Sequence, residues 1–424
     1  MNPSPWLCAC VIAGSLAGSP VWAQPAGSPG DPQPTRPASG EPATGKLTLR
    51  AALDTAWQRA IQARESQGQR RRAEADRAAT SKLWAAPPSL ELSHRNDRLQ
   101  RNAGQRETEI GVAVPLWLPG QRAAREGTAD AAAAQALAAE QAARLRLAGE
   151  VREAAWQIAG AQCELDQANT QAHAMKQLAD DVERRVRAGD MARADALAAQ
   201  AEYLAAAALQ AELRQRVQAA HARWALLTGL PSAPDLTAAA NDGAPDSAAP
   251  HPELRLASQS TELARQRVEL MRRSRRDPPE LTLGVRQDDP GRAESSQGSL
   301  LVGLRFPFGT DDRNRPLEAA ALSELDVAQT LEQRLRERLD SDIAAARDAL
   351  GTAQAQLEAE TARSRLLRER AALIDKSFRA GESPLPDLLR ALAAASQADS
   401  AAARQTAAQG LARARLQQAL GLLP

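Results

Sequence analysis

The same series of landmarks occurs twice in this sequence, 191 or 192 residues apart. Each series has four parts. The first is a segment that begins with two prolines, and the second is a strand-like segment that contains a proline. The third is the tripeptide Arg-Ala-Gly, and the fourth is a short final segment that contains leucine and glycine. The paired segments are 87–97 with 278–288, 112–117 with 304–309, 187–189 with 379–381, and 228–231 with 420–424. A constant offset across different motifs predicts two copies of one structural unit. The copies are placed at 47–231 and 251–424, with a linker at 232–250.

Each copy contains a region in which apolar residues recur at alternating steps of four and three. In the first copy every position of this series is apolar: Leu147, Val151, Ala154, Ile158, Ala161, Leu165, Ala168, Ala172, Met175, Ala179, Val182 and Val186. Ten of the twelve positions that lie 192 residues later are also apolar. A mean spacing of 3.5 residues is that of a coiled-coil seam. At 1.5 Å per residue, a helix over 122–187 would be ~100 Å long, which indicates a rod.

Ahead of each seam lie two short segments in which apolar and polar residues alternate. The alternating apolar positions are Leu90, Leu92, Ile110, Val112 and Val114 in the first copy, and Leu281, Leu283, Val285, Leu300, Val302, Leu304 and Phe306 in the second. A period of two predicts strands with one apolar face. The polar, turn-rich sequence between each pair of segments predicts a β-hairpin. The expected fold class is therefore mainly α with β, in two internal repeats.

Four amphipathic strands are too few to close a membrane barrel. A sheet in lipid must close on itself, because open edges would leave backbone groups without hydrogen-bond partners. Three chains would supply twelve strands. Their apolar faces would then contact lipid, while Glu91, Arg286 and Arg305 would face the lumen. The sequence thus predicts a homotrimer with a twelve-stranded barrel in contact with membrane lipid.

Each seam ends one turn before a glycine, Gly189 in the first copy and Gly381 in the second. Glycine suits the left-handed residue that closes many helices. Beyond Gly381, we expect Ser383 to cap the next helix, with Pro384 at its first position and Asp387 in its first turn. Both Arg-Ala-Gly stretches are therefore predicted to be tips of long antiparallel helical hairpins.

The N-terminal segment has the features of an export signal. Residues 1–23 contain a short apolar stretch followed by small residues, as in a signal peptide cleaved after Ala23. Residues 24–46 are rich in proline and glycine and are expected to form a flexible leader. A chain starting at Gln24 would have no N-terminal cysteine to carry a lipid, and it would keep only Cys163. The formal net charge of +1 does not indicate a nucleic-acid partner.

Both copies resemble the outer-membrane efflux proteins of the TolC type, over nearly all of residues 47–424. The resemblance depends on the junctions "VPLWLPGQR" and "RFPFGTDDR", the two Arg-x-Gly tips with an acid six residues later, and the ends "TGLP" and "LGLLP". It implies a trimeric channel that docks on a periplasmic adaptor protein and an inner-membrane pump. "PLWLPGQR" is similar to the metal-efflux branch. The tip position that is often Ser or Thr in the family is Ala192 here and Pro384 in the second copy.

The charged residues at the tips have two interpretations. Asp195 and Asp387 are either helix-start acids that favour the positive dipole end or, as the resemblance implies, a carboxylate ring that gates the channel mouth. Arg187 and Arg379 are either helix-end charges or contacts of the adaptor. The resemblance also makes Gly189, Gly381 and Ser383 candidate adaptor contacts. The arginines at 70–72 and 272–276 form either a solvated helix face or phosphate contacts at the membrane.

The sequence offers no catalytic or cofactor site. His94, His173, His221 and His251 are scattered, with no ligand spacing typical of zinc or copper. Nucleophile, metalloprotease and phosphate-loop motifs are missing, so we expect no enzyme, no cofactor and no resident metal. The alternative to a channel is a periplasmic coiled-coil scaffold that never enters the outer membrane. The four alternating strands distinguish the two hypotheses, since a scaffold has no need of them.

Overall fold

A computed structural model describes residues 47–99, 103–236, 250–291, 295–308 and 311–424. The predicted signal peptide, all of the predicted leader and most of the linker lie outside the described residues. The elements in chain order are α1 Leu49–Arg59, α2 Ile61–Thr80, β1 Ser89–Asn96, β2 Arg106–Pro115, α3 Gln121–Ala188, α4 Arg193–Thr228, α5 Pro252–Arg273, β3 Glu280–Asp289, β4 Gln297–Arg305, α6 Asp311–Arg379 and α7 Leu385–Ala419. The mainly α with β fold class is confirmed.

The first helical region of the chain is divided into two helices, α1 and α2. Ala60 has an extended backbone (φ −67°, ψ 139°) and separates α1 from α2. The break allows α1 to pack against α3 and the end of α4, where Leu49 and Leu53 meet the fully buried Trp224. The gain from burying α1 outweighs the continuity of a single helix, and no glycine or proline in the sequence marks the position.

The four strands form one antiparallel sheet in the order β1-β2-β3-β4. Cross-strand pairs such as Leu92–Ile110, Ile110–Val285 and Val285–Leu300 align the predicted apolar positions on one face. Glu91, Arg286 and Arg305 lie on the opposite face, as expected from their parity. The predicted strand faces are therefore confirmed. The helices join the sheet at one end, and the strand ends Asn96, Arg106, Asp289 and Gln297 lie at the other.

The helices form a layer four helices wide. α3 packs against α2 and α5 near the sheet, and against α4 and α7 farther along; α6 packs against α5 and then α7. Nine of the twelve seam positions in α3 are buried and the other three are half-buried. In the second copy, the equivalent positions of α6 are all buried or half-buried as well. Both long helices thus use the predicted seam for packing within the chain. Among the described residues, no helix has both the length and the apolar character required to cross a membrane.

Two side chains of α3 hold the end of α7 in place. The Trp156 ring lies so close to Gly410 that any β-carbon there would collide with it. The buried guanidinium of Arg152 donates to Gln418 Oε1 (2.8 Å) and to the carbonyl of Leu422 (2.9 Å). Burial lowers the pKa of Arg152 to about 10, so it remains charged at neutral pH. These contacts fix the junction between the two halves of the chain.

Candidate functional site: the paired helical tips

Both tips turn in the same way at their glycines. Gly189 and Gly381 have φ of 90° and 80°, in the left-handed region. In each tip the residue after glycine donates its N–H to a carbonyl five residues back: Asp190 to Arg185 (2.9 Å) and Glu382 to Ser377 (2.9 Å). This pattern closes the end of a helix and favours glycine, because a side chain is strained at positive φ. The prediction of two glycine-closed tips is confirmed.

The return helix after Gly381 begins differently from the prediction. Pro384, and not Ser383, is the residue that precedes the helix, and no side chain caps its first turn. The hydroxyl of Ser383 lies 2.6 Å from that of Ser377 on α6. Ser383 therefore links the two arms of the hairpin. The prediction of Ser383 as the helix cap was wrong because a helix-cap pattern in sequence cannot show this tertiary hydrogen bond.

The two tips pack against each other through an apolar cluster. Val182 and Ala199 of the first hairpin meet Phe378, Leu385 and Leu388 of the second, and all five are buried. The guanidinium of Arg185 lies 5.1 Å from the centre of the Phe378 ring, within the range of a cation–π interaction. The tips of one chain therefore form a single unit. The sequence predicted the seam positions but not the residues that they contact in the other tip.

The predicted tip charges lie at helix ends, and most have local partners. Asp195 and Asp387 are half-buried in the first turns of α4 and α7, and Asp387 is paired with Arg390. Arg187 lies 3.8 Å from Glu183, and Arg379 lies 2.9 Å from Asp375, each one turn earlier on its own helix. These positions fit the helix-end interpretation and leave the gate and adaptor interpretations as proposals.

A groove of about 600 Å³ extends from the tips along α7, between α3 and α6. Its floor is apolar, with Met175, Ala371 and Ala395 among the residues that line it. Its sides carry the ion pairs Asp181–Arg185 (3.0 Å) on α3 and Arg368–Asp399 (2.7 Å) between α6 and α7. An apolar floor between charged rims suits an amphipathic partner helix. The sequence pattern did not identify this groove, because it depends on how the two hairpins meet.

Replacing Gly381 with valine should loosen this tip. No atom lies within 4 Å of the β-carbon that would be added, so the effect is on the backbone alone. Positive φ costs a residue with a side chain about 1–2 kcal/mol. We expect amide hydrogen exchange at 377–390 to become roughly ten-fold faster, because the turn opens more often. Gly381→Asn is the matched control, since asparagine tolerates this conformation; equal acceleration in both variants would show that the turn is not strained by φ.

The potential metal ligands and nucleophiles of the described residues are dispersed. They contain no group of three or more His, Cys, Asp or Glu side chains placed to hold a metal ion. Cys163 is half-buried on α3, and burial raises the pKa of its thiol, which disfavours the reactive thiolate. His94 lies 3.0 Å from Thr108 across the sheet, and His251 accepts the first amide of α5. These histidines therefore have structural roles.

No protein-family model matches the sequence, and no curated protein matches it significantly. Solved structures do match. One is CusC, a protein studied for its folding and transmembrane channel formation. Its structure matches with a TM-score of 0.74 and 16% identity, and the match covers 92% of this chain and 99% of the CusC chain.

Two further structures match over most of their length. The outer membrane protein VceC of Vibrio cholerae has a TM-score of 0.69 and 15% identity, over 88% of this chain and 96% of its own. The open state of the MtrE outer membrane channel of Neisseria gonorrhoeae has a TM-score of 0.67 and 18% identity, over 89% of each chain. Over these lengths this chain has the fold of these solved structures, mostly helical with one four-stranded antiparallel sheet.

Proposed function

We propose that this protein is a TolC-type outer-membrane efflux channel, a passive duct across the outer membrane and periplasm. The observation that carries the proposal is the exposed apolar face of the sheet. Its exposed members are Leu90, Leu92, Ile110, Val112, Leu283, Val285, Leu300, Val302 and Leu304. A continuous apolar face of this kind is unusual on a water-facing surface and suits contact with lipid. The same fold in known outer-membrane channels supports this interpretation.

The edges of the sheet support closure with further copies. Within the described residues, β1 and β4 each pair with a single strand, which leaves one edge of each open. All neighbouring strands of the sheet are antiparallel. Strand β4 of one copy can therefore also pair antiparallel with β1 of the next copy. Three copies would give the twelve-stranded barrel. Because lipid does not tolerate open edges, the monomeric sheet would not be stable in a membrane.

The two outer helices of the helical layer, α4 and α6, also fit this arrangement. α4 buries one face against α3, through Ala199, Ala206, Leu213, Val217 and Trp224. On the side turned away from α3 it exposes a second apolar stripe with similar spacing: Leu197, Ala201, Leu204, Ala208, Ala211, Ala222 and Leu226. α6, at the other edge, exposes Ala344, Gly351, Ala355, Ala359, Ala362, Leu366 and Leu373. We infer that the α4 stripe of one copy packs on the α6 stripe of the next.

A trimer of this chain would present six similar tips, two from each copy. The two tips are made by the two repeats that we infer from the sequence, at 47–231 and 251–424. We propose that the exposed arginine and glycine residues of these tips contact a periplasmic adaptor, which links the channel to an inner-membrane pump. The similarity to the metal-efflux branch would make metal ions the transported substrate, which a comparison of metal tolerance in cells with and without the protein would test.

The competing hypothesis is the periplasmic scaffold. It leaves the exposed apolar sheet face unexplained, whereas a channel requires that face. Extraction distinguishes the two. Membranes from cells producing the protein are washed with high salt and then with a neutral detergent. A channel should appear only in the detergent fraction and should conduct ions in a planar bilayer, whereas recovery in the salt wash would support the scaffold.

Removing both tip acids should change conduction if they line the mouth. Six carboxylates close together attract cations and concentrate multivalent ones. We expect Asp195→Ala combined with Asp387→Ala to alter single-channel conductance and to weaken block by multivalent cations about ten-fold. Glu183→Ala combined with Asp375→Ala removes the same number of charges six residues before the glycines and serves as the control. If the tip-acid variant is blocked like the parent channel, the two acids act only at helix starts.

A further inference from the structure

The end of the sheet that joins the helices concentrates the scarce aromatic residues of this chain. Four connections meet there, and their described residues are 81–88, 116–120, 274–279 and 306–308. The sequence has seven tryptophans and three phenylalanines, and Trp84, Trp117, Phe306 and Phe308 lie in these short segments. Phe308 is 90% exposed, and Phe306, Leu83 and Trp84 are also exposed. Exposed aromatic rings beside an apolar sheet face are typical of the boundary between lipid tails and headgroups.

Basic residues accompany these rings. Lys82 directly precedes the exposed pair Leu83 and Trp84, and Trp117 donates its indole N–H to the carbonyl of Lys82 (3.3 Å). Arg276 occupies the other helix-to-strand connection and is exposed. Within the described residues neither Lys82 nor Arg276 forms an ion pair. Both cations are therefore available to an external anion.

The arginines in the adjoining helix turns, in contrast, have partners within the chain. Each has a partner within the chain: Arg77 with Asp130, Arg122 with Glu126, Arg272 with Glu318, Arg273 with Glu269, and Arg125 with the Trp117 ring. Carboxylates compensate the charges of the first four, as expected of a solvated helix face, whereas Arg125 lies over a neutral ring. Among the described residues at this end of the sheet, Lys82 and Arg276 are basic side chains without an ion pair, and both lie in the connections that carry the aromatic residues.

We propose that Lys82 and Arg276 bind the phosphates of anionic phospholipids in the membrane leaflet that faces the periplasm. The proposal rests on the outer-membrane function proposed above, because the connections reach headgroup depth only if the sheet crosses the lipid. The aromatic rings would lie at the boundary, and the two side chains would extend from it to the phosphates. A lysine or arginine near an anionic lipid surface contributes about five-fold in binding. The interaction should weaken as salt rises.

The test uses the mature channel purified in a neutral detergent, with phosphatidylglycerol or phosphatidylcholine added. Native mass spectrometry counts the lipids retained by each assembly. The parent should retain phosphatidylglycerol at least five-fold better than phosphatidylcholine, and Lys82→Gln with Arg276→Gln should lose that preference. Arg50→Gln with Arg214→Gln removes the same charge from exposed positions on α1 and α4, and it should keep the preference. Retention of the preference by the Lys82 and Arg276 variant would overturn the proposal.

Two further measurements show whether the bound anion is a lipid and which of the two proposals has failed. Inorganic phosphate at millimolar concentration should not displace the retained phosphatidylglycerol; displacement would mean that the residues bind a free anion rather than a lipid. Insertion is measured separately, in vesicles of pure phosphatidylcholine. A channel that inserts there but shows no lipid preference overturns only this proposal. A protein that fails to insert overturns the channel function and this proposal with it.

Discussion

Leu92→Arg should abolish insertion of the protein into membranes while leaving its helices folded. Leu92 is 71% exposed on the apolar face of the sheet. An arginine facing lipid near the bilayer midplane costs about 2–4 kcal/mol in each chain, and an assembly of three chains carries the cost three times. We expect the detergent-extractable fraction of the outer membrane to lose the protein almost completely. Circular dichroism of the refolded chain should remain strongly helical, because the substitution lies outside the helical layer.

Ser93→Arg provides the matched control one residue away. Ser93 points to the opposite face, where its cross-strand partner is Glu109, so an arginine there gains an ion pair and meets no lipid. This variant should insert like the parent. Equal loss of both variants would mean that a charge anywhere on β1 disrupts the sheet. Equal tolerance of both would mean that the apolar face does not contact lipid.

Leu204→Asp should prevent assembly of the copies. Leu204 is 57% exposed in the single chain and belongs to the α4 stripe that we pair with α6 of the next copy. The substitution removes the burial of a leucine, about 1.5–3 kcal/mol, and places an unpaired charge in an apolar contact. Because the contact recurs between every pair of copies, the trimer should fall below detection. Chemical crosslinking of membranes, followed by denaturing electrophoresis, measures it.

Leu209→Asp is the control for this experiment. Leu209 is also an exposed leucine of α4, at 43%, but it lies outside the stripe. Its substitution should leave the crosslinked species unchanged. A trimer that survives Leu204→Asp as well would show that the α4 stripe lies outside the contact between copies, and the pairing of helical edges would then be wrong.

Periodicity allowed most of the fold to be predicted from the sequence. The seam of α3 reports which face of the helix is buried, and the alternation in the strands reports which face of the sheet is apolar. The tip glycines were predictable for a similar reason, because positive φ strongly favours one residue type. The alternating apolar positions of the sheet were also placed correctly on one face.

Tertiary contacts decided the features that the sequence did not reveal. The break at Ala60 depends on the packing of α1 against Trp224, and the role of Ser383 depends on the hydroxyl of Ser377. Arg152 gives no signal in the sequence, because a buried arginine is defined by its partners Gln418 and Leu422. The groove along α7 requires knowledge of how two hairpins meet. Such features depend on residues that are distant in the sequence, which local patterns do not record.

The mass of the protein extracted from the outer membrane tests the central claim most directly. The claim is that one chain supplies a third of a closed barrel and of the helical layer below it. Native mass spectrometry of the detergent-extracted protein should therefore give three chains, with no stable monomer or dimer. A monomer in the salt-soluble fraction would contradict the account, because an open four-stranded sheet with an apolar face would then exist free in water.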